Sequence, residues 1–201
     1  MIRVGVTGTV GAGKSTVARL FESWGARRVD ADELAREAVR PGSAALDEIR
    51  REWGDEVLDE EGALDRAAMR RRVFGDDAAR RRLEEIVHPE VRRLRRERLE
   101  EAREAGAEVV VGEVPLLLEK GMAHEFDVVV VVDAPREVRR RRLREERGVD
   151  AGTFEAIDAA QWPAGRKREA ADHVIENAGS LEELEAEAGR VWRAVVGEGG
   201  A

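Results

Sequence analysis

Eight residues near the N-terminus carry the strongest chemical signal in the chain. Gly8-Thr9-Val10-Gly11-Ala12-Gly13-Lys14-Ser15 fits G-x-x-x-x-G-K-[ST], a loop built to hold phosphate. Its glycines let the backbone fold back, so that successive N–H groups point at one anion. The helix that follows would add the positive end of its dipole beneath the phosphates, and Ser15 and Thr16 are counted with the loop among the nucleotide-binding residues. Lys14 is placed to reach the β- and γ-phosphates of a nucleoside triphosphate, and the Ser15 hydroxyl to hold Mg²⁺. The flanks agree. An apolar β-branched segment, Ile2–Thr7, precedes the loop. After it Val17, Leu20, Phe21 and Trp24 recur at helical spacing and stop at Gly25. The residues predict a site for ATP and Mg²⁺.

A second constellation is Asp30-Ala31-Asp32, at the end of a short strand candidate, Arg28–Asp30. Ligands in open α/β sheets bind outside the carboxyl ends of the strands, so these carboxylates are expected on the ligand side. Alternate residues on an extended strand share a face, so Asp30 and Asp32 are expected to point the same way. Asp32 is a candidate to orient an acceptor hydroxyl and take its proton, as phosphoryl transfer requires. The competing reading has Asp32 capping a helix over Glu33–Val39, which is compatible with catalysis. Asp30 reads as structural.

These residues need a scaffold, and the pattern supplies one. Further strand candidates are Glu108–Val114, Asp127–Val132 and His173–Glu176. The valine run Val128–Val132 suits a strand buried on both faces, hence a parallel sheet with helices on each side. A last helix opens with Ser180 and Glu183 at capping-box spacing, and its apolar stripe is Leu181, Leu184, Ala188, Val191 and Val195. Gly197–Ala201 reads as a frayed tail. The expected fold is α/β: a phosphate-loop core of about five parallel strands flanked by helices. It is assigned to 1–32, 107–136 and 166–201.

Two helical interruptions complete the expected layout. Residues 33–106 show no strand, only short helical pieces punctuated by Pro41-Gly42, Gly54, Gly62, Gly75 and Pro89. Residues 137–165 are rich in arginine and poor in apolar residues, with Val138 and Leu143 as the expected core contacts. A small-molecule kinase needs a domain for the acceptor and a lid that keeps water out, and the two interruptions supply both. The other phosphate-loop classes fit less well. No N-K-x-D motif reads a guanine base, and Asp59-Glu60-Glu61-Gly62 lies in the insertion, where it reads as a turn. Glu113, ending a strand candidate, keeps a motor-type ATPase or a slow ATPase switch as the alternative class.

Arg136, Arg139–Arg142, Arg144 and Arg147 form the densest positive cluster. They suit a clamp on a transferring phosphoryl group, with Arg142 the first choice. A nucleic-acid patch and a solvated, salt-laced helix face are the other readings. Trp24, Trp53 and Trp192 fall on helical apolar stripes and are expected in the core, with Trp162 packing beside Pro163.

Composition narrows the class further. The chain has 201 residues, 35 basic and 43 acidic, for a net charge of −8, which argues against a nucleic-acid partner. No run of about 18 apolar residues offers a membrane span. Cysteine is absent, which removes disulfides and thiolate metal sites and fits a cytoplasmic protein, as does an N-terminus without a leader pattern. Nothing in the residues fixes an oligomeric state. Only three of the basic residues are lysines: Lys14, Lys120 and Lys167.

Over nearly its whole length the sequence resembles the dephospho-CoA kinase family. The resemblance rests on the phosphate loop, Asp30-Ala31-Asp32, Val39-Arg40-Pro41-Gly42, Gly62-Ala63-Leu64-Asp65-Arg66, Val73-Phe74 and His88-Pro89. It continues through Val114-Pro115-Leu116-Leu117-Leu118-Glu119, Gln161-Trp162-Pro163 and Ala171-Asp172-His173-Val174-Ile175-Glu176-Asn177. It implies transfer of the ATP γ-phosphate to the ribose 3′-hydroxyl of dephospho-CoA. Another phosphate-loop small-molecule kinase is the neighbouring alternative. By the same resemblance Asp32 takes the acceptor proton, and Pro115, Leu117 and Glu119 border the acceptor. Asn177 lies near the adenine, and His88, otherwise a turn or cap residue, lines the acceptor site. The chain departs from the family pattern at Thr9, where glycine is usual, and at Arg139, where glutamine is common. Arg147 lies one place beyond the usual lid arginine.

Overall fold

The computed structural model describes residues 1–198. It divides into two compact units, one made of Met1–Val29 and the chain from Ala102 onward, the other of Asp30–Glu101. β1 (Ile2–Gly8), β2 (Arg27–Asp30), β3 (Val109–Glu113), β4 (Val128–Asp133) and β5 (His173–Glu176) form one sheet in the order β2-β3-β1-β4-β5. β1 pairs in parallel with both β3 and β4, and β4 with β5. Each strand lies within one residue of its expected bounds. Because β3 and β4 flank β1 on opposite sides, the end of β1 is where the winding reverses and a crevice opens for a ligand.

The alternation of β4 explains how the sheet is covered. Val128, Val130 and Val132 join Val4, Val6, Val17, Phe21, Ile175 and Val191 in the core. On that face α1 (Lys14–Ser23) and α9 (Leu181–Glu198) pack together. Val129 and Val131 point the other way and meet Leu117, Leu118 and Phe126. α9 has its capping box: Ser180 Oγ accepts from Glu183 N, and Glu183 Oε2 accepts from Ser180 N. Gly197 and Glu198 continue this helix, and the rest of the expected tail lies outside the described residues. Trp24 corrects its expectation. It falls just beyond the last turn of α1 and is 37% exposed, with its ring tilted against those of Phe21 and Trp192.

The second unit holds α2 (Ala31–Ala38), α3 (Ala44–Trp53), α4 (Arg66–Val73) and most of α5 (Asp77–Glu104). Its core gathers Ile49, Trp53, Val57, Met69 and Ile86. Among the described residues between 33 and 106 no strand forms, only an isolated bridge between Leu58 and Leu64. Asp59 closes its turn by accepting from the Glu61 and Ala63 N–H groups, as the turn reading requires.

Pro89 does not end a helix. It lies inside the 28-residue α5, and His88 beside it is an exposed mid-helix residue, neither turn nor cap. Proline denies a hydrogen bond to the carbonyl four residues back, at a cost of about 3 kcal/mol. Tertiary contacts on the flanking turns offset it. Ile86 and Leu94 are buried, and Arg82 pairs with Glu48 and Glu52 of α3.

Candidate active site

The phosphate loop leaves β1 at Gly8 and enters α1 at Lys14. Glycine is forced at two of its positions. Gly13 has φ +96°, and a Cβ there would stand 2.3 Å from Asn177 Nδ2. Gly8 has φ +147°, and its Cβ would stand 2.1 Å from the Val132 carbonyl oxygen. Gly11 also has positive φ, and Ala12 N donates back to the Thr9 carbonyl, which closes the loop. Thr16 N and Val17 N donate to the Gly13 carbonyl and start the helix. No side chain caps α1, so its first N–H groups are left facing the loop, where an anion would satisfy them.

Lys14 is buried, and its Nζ donates to the Thr9 carbonyl at 3.0 Å. Burial pushes its pKa down to about 8. The Glu113 carboxylate pulls the other way, while Lys167, Arg147 and Arg139 push it further down. Three more cations therefore act on the one loop lysine. A polyphosphate bound at the loop would favour the charged form of this lysine.

Ser15 Oγ donates to Glu113 Oε1 at 2.8 Å. The hydroxyl and the carboxylate stand together beside the loop lysine, a hard-oxygen pair suited to Mg²⁺. Among the described residues no group of three or more His, Cys, Asp or Glu could hold a metal ion. Such a site suits a magnesium ion that takes most of its ligands from phosphates and water.

Asn177, just beyond β5, holds the loop from another side. Its Nδ2 donates to the Ala12 carbonyl at 2.8 Å, and its Oδ1 accepts from Arg142 Nη2 at 3.1 Å. Both ends of this amide are thus used within the protein. Arg142 Nη1 is buried without a partner. Arg142 lies on α6 (Arg136–Arg147), which is followed by α7 (Ala151–Ala159) and α8 (Ala164–Glu169).

The arginine cluster is not uniform. Arg140 and Arg144 are exposed and pair with Glu137 and Glu145 on the same helix, a solvated face. Arg139 is buried at 4% exposure, against the expectation that Val138 and Leu143 alone would face inward. Its guanidinium donates to Asp158, to the Val10 carbonyl and to the Ala134 carbonyl.

The segment after β3 is tied to β1 and to α8. Thr7 Oγ1 and Lys167 Nζ both donate to the Pro115 carbonyl, at 3.3 and 3.4 Å. Leu117 is fully buried, so its side chain supports this segment from within. Glu119 Oε1 accepts from Lys167 Nζ at 2.8 Å and from Trp162 N at 2.9 Å, while Oε2 is buried without a partner. Burial opposes ionisation of Glu119. The hydrogen bonds from Lys167 and from the Trp162 N–H outweigh it, and its pKa lies below the usual value. Trp162 joins the Leu117 cluster and carries the Arg166 guanidinium 3.5 Å from its ring centroid.

Asp32 and His88 belong to the second unit. The helix cap there is Asp30, whose carboxylate accepts from Asp32 N and Glu33 N. The expectation that Asp32 shares a strand face with Asp30, or caps the helix, is corrected. The strand ends at Asp30, the helix starts at Ala31, and Asp32 is an exposed first-turn residue. Sequence reasoning gave no site role to Lys167, Asp158 or Gln161, and it used Glu113 only to weigh another class. Lys167 carried one signal: it is a lysine in a chain that otherwise uses arginine.

A glycine loop from strand to helix, a buried lysine within it and a serine–carboxylate pair beside it define a phosphate-loop phosphotransferase. The chain belongs to the dephospho-CoA kinase family, whose model matches residues 2–183. A dephospho-CoA kinase of Thermobifida fusca is 44% identical over 96% of this chain and 95% of its own length. One of Anaeromyxobacter dehalogenans is 48% identical over 94% of this chain and 89% of its own. A crystal structure of a Thermus thermophilus protein superposes with a TM-score of 0.81 at 41% identity, covering 98% and 97% of the two chains. That of Campylobacter jejuni dephospho-CoA kinase shares the fold at 0.73 and 24% identity, covering 98% of each. The protein is thus a kinase that uses ATP, placed at the final step of coenzyme A biosynthesis.

Proposed function

We propose that the loop binds Mg-ATP and that the γ-phosphoryl group passes to the ribose 3′-hydroxyl of dephospho-CoA. In this reading the acceptor oxygen bonds to the γ-phosphorus and the bond from that phosphorus to the bridging oxygen of ADP breaks. The hydroxyl proton goes to Asp32. The loop from Gly11 to Thr16 cradles the phosphates with the N–H groups it does not spend on the Thr9 and Gly13 carbonyls, and Lys14 follows the charge that develops between the β- and γ-groups. Ser15, with Glu113 beside it, would hold Mg²⁺, which spreads the negative charge of the phosphates when bound. Arg142 faces the transferring group, and Asn177 holds both that arginine and the loop. The observation that carries the reading is the glycine loop between β1 and α1, with Lys14 buried in it and Ser15 Oγ 2.8 Å from the Glu113 carboxylate.

The remaining roles follow the family. Residues 33–106 form the acceptor-binding region, where His88 contributes, and residues 137–165 form the lid. Pro115 and Glu119 border the acceptor, with Leu117 packing that segment. A biosynthetic kinase of this family works in the cytoplasm, and among the described residues no helix is long and apolar enough to cross a membrane. The test is purified protein with Mg-ATP and a panel of acceptors, following ADP release and product mass. Turnover that depends on dephospho-CoA, with little on adenylate or shikimate, is the expected result. Equal ADP release with no acceptor present would point to an ATPase.

A further inference from the structure

Val10 is gripped at both of its backbone polar groups by residues 137–165. Its N–H donates to Gln161 Oε1 at 2.7 Å, and its carbonyl accepts from Arg139 Nη1 at 3.3 Å. The two grips are joined to each other. Arg139 Nη1 also donates to Asp158 Oδ1 at 2.6 Å, and Asp158 lies at the end of α7, three residues before Gln161. The connections close a ring: Val10, Arg139, Asp158, Gln161 and back to Val10.

The ring also locks α6 against α7. Asp158 Oδ2 pairs with Arg136 at 3.2 Å, so one carboxylate holds two arginines spaced three apart on α6. Both guanidiniums lie over the ring of Phe154, which is buried at the centre of α7. Burial works against a charged Asp158, yet the hydrogen bond and charge of Arg139 keep its carboxyl below the usual range. The pair is therefore ionised, largely shielded from solvent and fixed in direction.

Arg139 is fastened within the protein: its Nε donates to the Ala134 carbonyl, and its Nη1 is spent on Asp158 and Val10. Arg142 lies three residues further along α6, next to it on the helix surface, and reaches Asn177, which holds Ala12. The loop is thus registered to α6 at Val10 and again at Ala12. We propose that Arg139, Asp158 and Gln161 are positioning residues: they dock α6 and α7 onto Val10 so that Arg142 is aimed at the transferring phosphoryl group. The proposal rests on the role of Arg142 given above.

The cost of misalignment falls on the chemical step. ATP is held by loop N–H groups and Lys14, whereas a misplaced arginine loses charge stabilisation that matters most in the transition state. Displacements of about 1 Å can cost about 10²-fold, so loosening the ring without deleting Arg142 is expected to lower kcat about tenfold. KM for ATP stays within about twofold, because uniform binding is untouched.

The experiment is a set of coupled variants of the full chain with dephospho-CoA as acceptor. Asp158→Asn removes the charge that holds Arg139, and Gln161→Met removes the acceptor for Val10 N–H. Gln161→Glu keeps that acceptor and should restore kcat. Each is measured alone and on an Arg142→Ala background, with melting temperature on the same preparation. If the ring acts through Arg142, its variants lower kcat in the parent and change it little once Arg142 is gone. Losses that multiply in full on the Arg142→Ala background would overturn the proposal, as would a KM effect with kcat intact. An Arg142→Ala protein of normal kcat would sink the underlying role of Arg142 itself, a separate reading. Should Asp158→Asn fail to fold, the two Gln161 variants still decide the matter.

Discussion

Lys167 Nζ stands 2.8 Å from Glu119 Oε1, and the lysine is fully buried. This ammonium also faces the carbonyls of Gly8 and Pro115, so one cation on α8 ties the start of the phosphate loop to the segment that leaves β3. It lies close enough to push the Lys14 pKa down. The pair is a structural fastening whose lysine also acts on the charge of Lys14.

Removing one partner should therefore be costly. Lys167→Met leaves the Glu119 carboxylate buried without its cation, a change worth about 3–5 kcal/mol in comparable pairs. For a chain of this size that corresponds to a fall in Tm of roughly 10 °C. Replacing both partners, Lys167→Met with Glu119→Leu, should recover most of the loss, because no charge is then stranded. Thermal unfolding of the two proteins checks this, and a double variant no more stable than the single one would refute it.

Lys14 makes a second forecast. Lys14→Ala removes the cation that the proposed function sets against the phosphate oxygens, and losing one such donor costs about 10²–10³ in rate. The fold should not suffer, since a buried charge with an unfavourable environment is deleted. Near-normal turnover with Mg-ATP would break the assignment of the loop.

The same lysine sets a pH dependence. Its pKa in the free protein is about 8, against an ordinary 10.5, with burial the main cause. Between those values the unfolded chain binds more protons than the folded one, so this group raises stability as pH climbs through that window. Polyphosphate binding reverses the imbalance by favouring the charged amine. Titration of ATP near pH 9, about the middle of the window, should show proton uptake that Lys14→Met abolishes. kcat/KM for ATP should decline above about pH 8 while kcat holds to higher pH, because the two report the free and bound enzyme respectively.

The reach of sequence reasoning here follows chain distance. The loop was legible because its eight residues are contiguous and its flanks have matching periods. The valine strands were legible because burial on both faces leaves no polar positions. The partners of the loop were not, since Glu113, Gln161 and Lys167 arrive from about a hundred or more residues away, and only the parallel winding brings them in. Local rules also lost to tertiary ones. Pro89 reads as a stop, yet packing of Ile86 and Leu94 and the ion pairs of Arg82 with α3 carry α5 through it. The cap after β2 was misplaced by two residues, because either aspartate satisfies the pattern and only geometry assigns it to Asp30.

That reassignment sharpens the forecast for Asp32. Its carboxylate does not cap α2, so Asp32→Asn cannot lose a cap. What it loses is a negative charge in the first turn, worth about 0.3–1 kcal/mol through the helix dipole. Melting temperature should therefore move by no more than a few degrees, and ATP affinity should stay near that of the parent. An amide has nearly the same shape as the carboxylate and can still accept a hydrogen bond from a hydroxyl, but it cannot take the proton. General-base assistance is worth about 10²–10⁴-fold. Phosphoryl transfer runs through a loose transition state in which the hydroxyl keeps its proton late, so the lower half of that range is expected. Turnover with dephospho-CoA, ATP dissociation constant and melting temperature on one preparation separate the cases. A rate within about threefold of the parent, far below the range for a lost base, would remove Asp32 from the proton path and leave it as a charge at the start of a helix.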